Sequence, residues 1–121
     1  MTAGRSVSEQ TEAAMARKLS GPAREEISLA PVLAALSDPV RFEIVCKLAS
    51  GCELSCASLG LPIPKSTLTH HLKVLREAGV IVQRPVGTSK MTGLRRKDLD
   101  ARFPGLLDSV LAARAKRPSR H

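Results

Sequence analysis

The sequence predicts a mainly α-helical fold that carries one small β-hairpin. The helical part is clearest in the stretch 64–79, where leucine recurs at i, i+4 and i+7, the spacing of one helix face. The hairpin is indicated directly afterwards, where β-branched residues at 80–82 precede a turn-forming segment at 85–89. The other elements are placed around this helix and hairpin.

Composition supports one folded domain and excludes several function classes. A chain of 121 residues that is 43% hydrophobic is long enough for one modest core. Phe42 and Phe103 are its only Phe, Tyr or Trp residues, which argues against a single-strand binder that stacks bases on aromatic rings. The sequence has neither an apolar run of the ~18 residues that span a bilayer nor a signal-peptide pattern. We therefore expect a cytoplasmic protein with no membrane partner.

The positive charge is concentrated in the last third of the chain. The formal net charge is +8, of which residues 80–121 carry +7, from ten Lys or Arg against three Asp. Between Arg84 and Lys97 there are five cations and no acid. Such a segment attracts polyanions and gains affinity by releasing their counterions.

The first half of the chain is expected to hold an arm and three helices. Residues 1–26 are polar and interrupted by glycine and proline, which predicts a flexible N-terminal arm. Pro31 is expected to open a short apolar helix, and Ser37-Asp38-Pro39 signals the start of a second helix that Gly51 ends. Residues 53–59 are expected to form a further short helix.

The stretch Pro64 to Gly79 predicts a helix with an apolar back and a hydrogen-bonding front. Pro64 suits the first helical position, and Gly79 suits the position just past the end. The front combines small donors with cations, namely Lys65, Ser66, Thr67, Thr69, His70 and Lys73. Such a front fits a helix in the DNA major groove, although an ordinary surface helix has the same pattern. His71 lies at the edge of the apolar stripe and is expected to pack there.

The neighbours of this helix favour DNA. A short helix joined to it by a tight turn makes a helix-turn-helix pattern. The basic hairpin that follows corresponds to a wing, whose cations are expected to approach phosphates or the minor groove: Arg84, Lys90, Arg95 and Arg96. The fold class is therefore a winged helix-turn-helix, with a recognition helix at 64–78 and a basic wing at 84–96.

Two apolar segments at the ends of the domain are left to form a dimer interface. Pro104 is expected to open a last helix with a strong apolar stripe, which could cover the chain's own first helix or a second subunit. A C2 dimer would place two recognition helices about one DNA turn apart. The residues expected in dimerisation are Val32, Leu33, Leu36, Leu106, Leu107, Val110 and Leu111. The domain would span residues 27–115, followed by a basic tail at 116–121.

Two segments carry a family resemblance. They are residues 35–45, Ala-Leu-Ser-Asp-Pro-Val-Arg-Phe-Glu-Ile-Val, and residues 66–81, Ser-Thr-Leu-Thr-His-His-Leu-Lys-Val-Leu-Arg-Glu-Ala-Gly-Val-Ile. In this order and spacing they resemble the arsenical-resistance-repressor (ArsR/SmtB) family of bacterial winged-helix transcriptional regulators. The resemblance implies a homodimer that binds inverted repeats, mostly as a repressor, with dimer contacts from the first and last helices. It also implies base or phosphate contacts from Ser66, Thr67, Thr69, His70 and Lys73.

The family's metal-sensing motifs are not matched. Its Glu-Leu-Cys-Val-Cys motif aligns with residues 53–57, so that Ser55 and Ala57 replace both cysteines. Cys52 and Cys56 are the remaining candidates for a soft metal or metalloid inducer, four residues apart at a helix start, because thiolates bind such ions. Plain packing or inert exposure is the favoured interpretation of these two cysteines, and Cys46 is expected to be a core residue.

No pair of catalytic acids, nucleophile–base arrangement or phosphate-binding glycine loop is present, so the sequence does not predict an enzyme. The predicted function is a sequence-specific regulator, a repressor, that binds double-stranded DNA as a homodimer and could be released by a metal, metalloid or redox signal. No resident cofactor is predicted. The alternative is a small basic RNA- or ribosome-associated binding protein.

Overall fold

A computed structural model of the protein describes residues 21–115. The predicted tail at 116–121 and the predicted arm up to residue 20 lie outside the described residues. Residues 21–26, which the sequence assigns to the arm, run along the body of the domain, where the Pro22 carbonyl oxygen accepts a hydrogen bond from Arg95 at 2.6 Å. Residues 21–26 therefore belong to the domain and not to the arm.

Within this range the protein is mainly helical with one antiparallel two-stranded hairpin, as the sequence predicts. A short 3-10 turn at Arg24–Glu26 precedes the first helix. In chain order the elements are α1 (Leu29–Leu36), α2 (Pro39–Leu48), α3 (Cys56–Leu59), α4 (Lys65–Ala78), β1 (Ile81–Val86), β2 (Ser89–Leu94), α5 (Arg96–Arg102) and α6 (Leu106–Ala115). Among the helices described here, none has the length and apolar character that crossing a bilayer requires.

The helix boundaries follow capping chemistry. The Asp38 carboxylate accepts hydrogen bonds from the backbone N–H groups of Arg41 at 3.1 Å and Val40 at 2.9 Å, which satisfies the start of α2 and lowers the pKa of Asp38. Gly79 ends α4 with φ 90°, in the left-handed region that glycine adopts without strain. Pro64 has extended backbone angles, so α4 begins at Lys65, one residue later than expected.

The helix before α4 is shorter than the sequence predicts. Residues 53–59 are expected to be helical, but α3 covers only Cys56–Leu59. The reason is a strand-like contact, because the backbone of Leu54 exchanges hydrogen bonds with that of Thr92 on β2 at 2.9 and 2.8 Å. Backbone groups committed to a neighbouring strand cannot also close helical turns.

The core fixes the rotation of α4 about its own axis. The predicted stripe of Leu68, Leu72 and Leu75 is buried, and α4 packs against α1, α2 and β1. Successive helix residues are ~100° apart, so burial of this stripe turns the opposite side of α4 to solvent. The same core contains Ile44, Leu48 and Leu59 from the preceding helices, which hold the helix-turn-helix pair together.

The hairpin returns the chain to the same core. Ile81 pairs with Leu94 at its base and Val86 pairs with Ser89 at its turn. Burial decreases along β1 from the fully buried Ile81 to the exposed Val86. The base of the hairpin is therefore anchored in the domain, whereas its turn projects from it.

We expect Gly79→Ala to destabilise the domain. Left-handed backbone costs a non-glycine residue ~1–2 kcal/mol, and a Cβ at this position would also lie 2.6 Å from Cγ1 of the buried Ile27. The matched control is Gly105→Ala, at φ 84° with nothing within 4 Å of the added carbon. Urea denaturation should give a clearly larger loss of unfolding free energy for Gly79→Ala. Equal losses would show that the contact with Ile27 does not matter.

Candidate nucleic-acid interface

The solvent side of α4 holds all six helix residues that the sequence assigns to DNA contact. Each is exposed, because the leucine stripe occupies the other side of the helix. The six are Lys65, Ser66, Thr67, Thr69, His70 and Lys73. The structure thus assembles donors and cations over the first three turns of α4.

The turn of the hairpin approaches the same side of α4. A cavity of 490 Å³ lies between α4, the start of α3 and the hairpin turn. Its lining includes four cations and no Asp or Glu: Lys65, Lys73, Arg76 and Lys90. We call this cavity the basic groove. Because like charges with no acid between them create a positive potential, the basic groove favours a polyanion.

The three lysines of the basic groove carry uncompensated charge. None of the ion pairs found in residues 21–115 includes Lys65, Lys73 or Lys90. All three are exposed, so their ammonium groups are hydrated. Contact between such a group and a phosphate would release counterions from the nucleic acid and raise affinity at low salt.

Arg84, the first cation predicted for the wing, is held by a carboxylate. Its guanidinium donates to both oxygens of Glu53, with Nη2 at 2.6 Å and Nε at 3.0 Å from Oε1. This hydrogen bonding lowers the pKa of Glu53 and raises that of Arg84. Both side chains remain accessible to solvent, so this pair is screened, and a phosphate bound to the same edge of the guanidinium would replace Glu53.

Arg95 does not belong to the wing surface, and its predicted role as a phosphate contact is corrected. Only 10% of its side chain is exposed. Its guanidinium donates to the Asp98 carboxylate at 2.9 Å and to the Pro22 carbonyl oxygen at 2.6 Å. Asp98 also accepts from Arg24 at 2.6 Å. Burial raises the pKa of Asp98, but the hydrogen bonds from Arg24 and Arg95 outweigh it, and the pKa is lowered.

Arg96 is also committed to the domain itself. It donates to the Asp108 carboxylate at the start of α6, and its Nε lies 3.7 Å from an Asp100 oxygen. The contact with Asp108 ties α5 to α6, whereas the contact with Asp100 lies within α5. The sequence does not reveal this interhelical ion pair, because Asp108 is twelve positions away; the phosphate contact of Arg96 stays a prediction.

The two histidines of α4 face different surroundings. His70 is exposed on the solvent side. His71 is mostly buried, with Nδ1 3.4 Å from Arg41 Nη1 and 3.9 Å from an Asp38 oxygen. As the sequence predicts, His71 lies at the seam between α4 and its neighbours and packs against the start of α2.

The apolar residues predicted to form a dimer interface divide into two groups. Val32, Leu36 and Leu107 are buried in the chain's own core, so they cannot also face a partner. Leu33 remains 45% exposed, and the rest are half-buried: Leu106, Val110 and Leu111. Leu29, which the sequence does not single out, is as exposed as Leu33.

Comparisons with known proteins agree with this geometry. Residues 36–84 match a family model described as a helix-turn-helix domain. The chain is 38% identical over 84 residues to the uncharacterized HTH-type transcriptional regulator YceK of Bacillus subtilis, which covers 67% of this chain and 84% of that protein. Among solved structures, it is 30% identical to an ArsR-like transcriptional regulator from Rhodococcus sp. RHA1, over 73% of this chain and 87% of that one, with a TM-score of 0.53.

The chain belongs to the ArsR family of helix-turn-helix transcriptional regulators. It is also similar to the transcriptional repressor BigR from Xylella fastidiosa, at 29% identity over 75% of this chain and 87% of that one, with a TM-score of 0.59. The homodimeric winged helix-turn-helix domain of Mb0332 from Mycobacterium bovis, at 22% identity, 99% coverage of both chains and a TM-score of 0.58, shows the same fold. The relatives are transcription regulators, which agrees with the prediction that this protein is not an enzyme.

The cysteines of this ArsR-family regulator are not gathered at one point. Cys52 lies in the segment before α3 and lines a small cavity of 160 Å³. Cys56 begins α3 and lines the basic groove instead. The expectation that both occupy one side of a helix start is therefore corrected, because Leu54 between them is paired with β2. Within residues 21–115 no group of three or more His, Cys, Asp or Glu is arranged to hold a metal.

Two further residues of the basic groove were not indicated by the sequence. Arg76 follows Lys73 by one helical turn and Gln83 lies on β1, and both line the groove. The i, i+3 spacing from Lys73 could have indicated Arg76. For Gln83 the sequence carries no comparable signal, because the residues that face it come from another strand and from α4.

We expect Arg95→Met to lower the stability of this regulator. Hydrogen bonds to charged groups contribute about 1.5–3 kcal/mol, and the variant leaves Asp98 and the Pro22 carbonyl oxygen with fewer donors. The pKa of Asp98 lies below its ordinary 3.8. Its contribution to stability is therefore present above about pH 4 and is lost as the pH falls through the lowered pKa.

Urea denaturation between pH 3 and pH 7 measures this effect. Arg95→Met should unfold more easily at pH 7 and should lose less stability than the wild type as the pH falls below about 4. Lys90→Met is the matched control, since it removes the same charge from an exposed position and should change stability by less than ~0.5 kcal/mol. If the unfolding free energy of Arg95→Met equals that of the wild type, the contacts of Arg95 with Asp98 and Pro22 are not stabilising.

Proposed function

We propose that this regulator is a homodimeric repressor that binds an inverted-repeat operator through α4 and the hairpin. The observation that carries the proposal is the basic groove, because one positively charged surface joins the donor-rich side of α4 to the hairpin turn. In this arrangement α4 enters the major groove and the hairpin follows the sugar-phosphate backbone toward the minor groove.

The residues have separate tasks in this proposal. Ser66, Thr67, Thr69 and His70 offer short donors and acceptors to base edges, which carry sequence information. Lys65, Lys73 and Lys90 contact phosphates, which fix the position of the protein on the duplex. Arg84 joins them when a phosphate displaces Glu53.

The repressor role and the dimer are supported by the relatives. The similar BigR is described as a transcriptional repressor, and the similar Mb0332 domain as homodimeric. Here Leu29 and Leu33 expose apolar surface on α1, which a second copy would cover. We assign DNA binding and dimerisation to the described residues 21–115. This role requires access to DNA and thus a cytoplasmic location.

Binding experiments across a salt series test the proposal. The full-length protein should bind a duplex containing its inverted repeat, selected from random-sequence DNA, ~10³-fold or more tightly than scrambled duplex. Its affinity should fall as salt rises, with a slope of ~0.9 for each phosphate contact. Equal affinity for scrambled duplex and for structured RNA would contradict the proposal and favour a general polyanion-binding protein.

Single variants separate the two kinds of contact. Lys73→Gln should weaken binding to operator and scrambled duplex alike and reduce the salt slope by ~0.9 per lost contact. Thr69→Ala should weaken operator binding alone, because it removes a contact to a base edge and no charge. If Lys73→Gln leaves the salt slope unchanged, Lys73 on α4 does not contact a phosphate.

We expect Leu33→Glu to convert the dimer into monomers. The variant would place a charge in an apolar interface, where an unpaired charge costs much of the association free energy. Sedimentation velocity at micromolar concentration measures the result. The matched control is Val86→Glu, since Val86 on the hairpin is 46% exposed and Leu33 is 45% exposed; this control should remain a dimer. A Leu33→Glu protein that stays dimeric would show that Leu33 on α1 does not lie in the dimer interface.

A further inference from the structure

A buried polar side chain lies beneath the basic groove. Gln83 on β1 is 5% exposed, and Thr92, its cross-strand partner on β2, is fully buried. Burying an amide costs free energy unless hydrogen bonds replace its water. A glutamine kept at such a position therefore depends on its partners, and these partners belong to different elements.

The partners of Gln83 form a chain of hydrogen bonds across three elements. Arg76 on α4 donates from Nη1 to Gln83 Oε1 at 2.8 Å. Gln83 donates from Nε2 to Thr92 Oγ1 at 3.3 Å. The backbone of Thr92 is in turn bonded to that of Leu54, just before α3. We call the three side chains Arg76, Gln83 and Thr92 the relay.

The relay begins under one side of the basic groove and ends under the other. Arg76 is three positions from Lys73 on α4, and Thr92 is two positions from Lys90 on β2, so Thr92 and Lys90 project from the same face of that strand. Arg76 and Gln83 themselves line the groove. The relay thus links the helix that carries Lys73 to the strand that carries Lys90.

Hydrogen bonds are directional, whereas apolar contacts tolerate sliding. Apolar packing of Val80 and Ile81 holds the base of the hairpin to α4, and this packing by itself does not specify the angle between α4 and the projecting turn. A bond from Arg76 to the middle of β1 restricts that angle. The Arg76 Nε atom is buried without a partner within residues 21–115, so Gln83 is the group that holds this guanidinium.

We propose that Gln83 is a positioning residue that sets the hairpin against α4, so that Lys90 reaches the DNA backbone while α4 lies in the major groove. The inference rests on the proposed function. It adds that the contribution of Lys90 to binding depends on Gln83, although Gln83 itself does not contact DNA. The contribution of Lys65, on α4, does not depend on Gln83.

A double-mutant cycle on operator DNA tests this dependence. The variants are Gln83→Met, which keeps the length of the side chain and removes its hydrogen bonds, Lys90→Gln, and the two together. In the wild type, Lys90→Gln should weaken binding at 0.1 M salt by about fivefold or more, the loss expected for a phosphate contact. In the Q83M background the same change should cost less than about twofold, because Lys90 no longer reaches its phosphate.

Two controls separate positioning from general destabilisation. Lys65→Gln should cost the same in both backgrounds, because α4 still enters the groove. Thr92→Val keeps nearly the same shape and removes only the hydrogen bond between Gln83 and Thr92. It should also reduce the cost of Lys90→Gln, and it replaces Gln83→Met in the cycle if that variant fails to fold. Thermal unfolding of each variant establishes that the protein measured is folded.

The outcomes are distinguishable. If Lys90→Gln costs the same in the wild type and in both relay variants, the positioning role is overturned while DNA binding stands. If Lys90→Gln costs nothing in the wild type and scrambled duplex binds as well as operator, the proposed function fails and the inference fails with it. Loss of the Lys90 contribution in the relay variants, with the Lys65 contribution intact, supports the inference.

Discussion

Burial of Leu68, Leu72 and Leu75 is the constraint on which the interface depends. Each fully buried leucine contributes about 1.5–3 kcal/mol, and the three lie on one side of α4 against α1 and α2. A rotation of α4 by a single residue would move polar side chains into the core. The apolar side of the helix therefore determines which side chains face solvent, and the donor-rich surface follows from it.

The Arg and Lys residues that the sequence predicts for DNA contact divide by side-chain chemistry. Arg84, Arg95 and Arg96 are each bound to a carboxylate, and the planar guanidinium suits such paired hydrogen bonds. Lys65, Lys73 and Lys90 stay exposed along the basic groove, where a hydrated ammonium serves as a mobile point charge. The number of Lys and Arg residues therefore overstates the positive surface available to DNA, because some of these side chains are paired with carboxylates that hold the domain together.

The helix and the hairpin act as one surface because two kinds of contact join them. Apolar packing joins the base of the hairpin to α4, and the relay adds hydrogen bonds, which are directional. The same hairpin is fixed on its other side, where Leu54 pairs with Thr92 and Glu53 holds Arg84. The segment before α3 thus acts as a third strand-like element, and its pairing explains both the short α3 and the separation of Cys52 from Cys56.

The sequence by itself determined the order of helices and hairpin, the caps at Asp38 and Gly79, and the exposed donors of α4. These features depend on residues within a few positions of one another, which periodicity and capping chemistry describe. It did not determine the roles of Arg95, Arg96, Leu107 and Gln83, nor the length of α3. Their partners lie on other elements, so only tertiary packing decided which cations pair, which leucines enter the core and which polar side chain is buried beneath the groove.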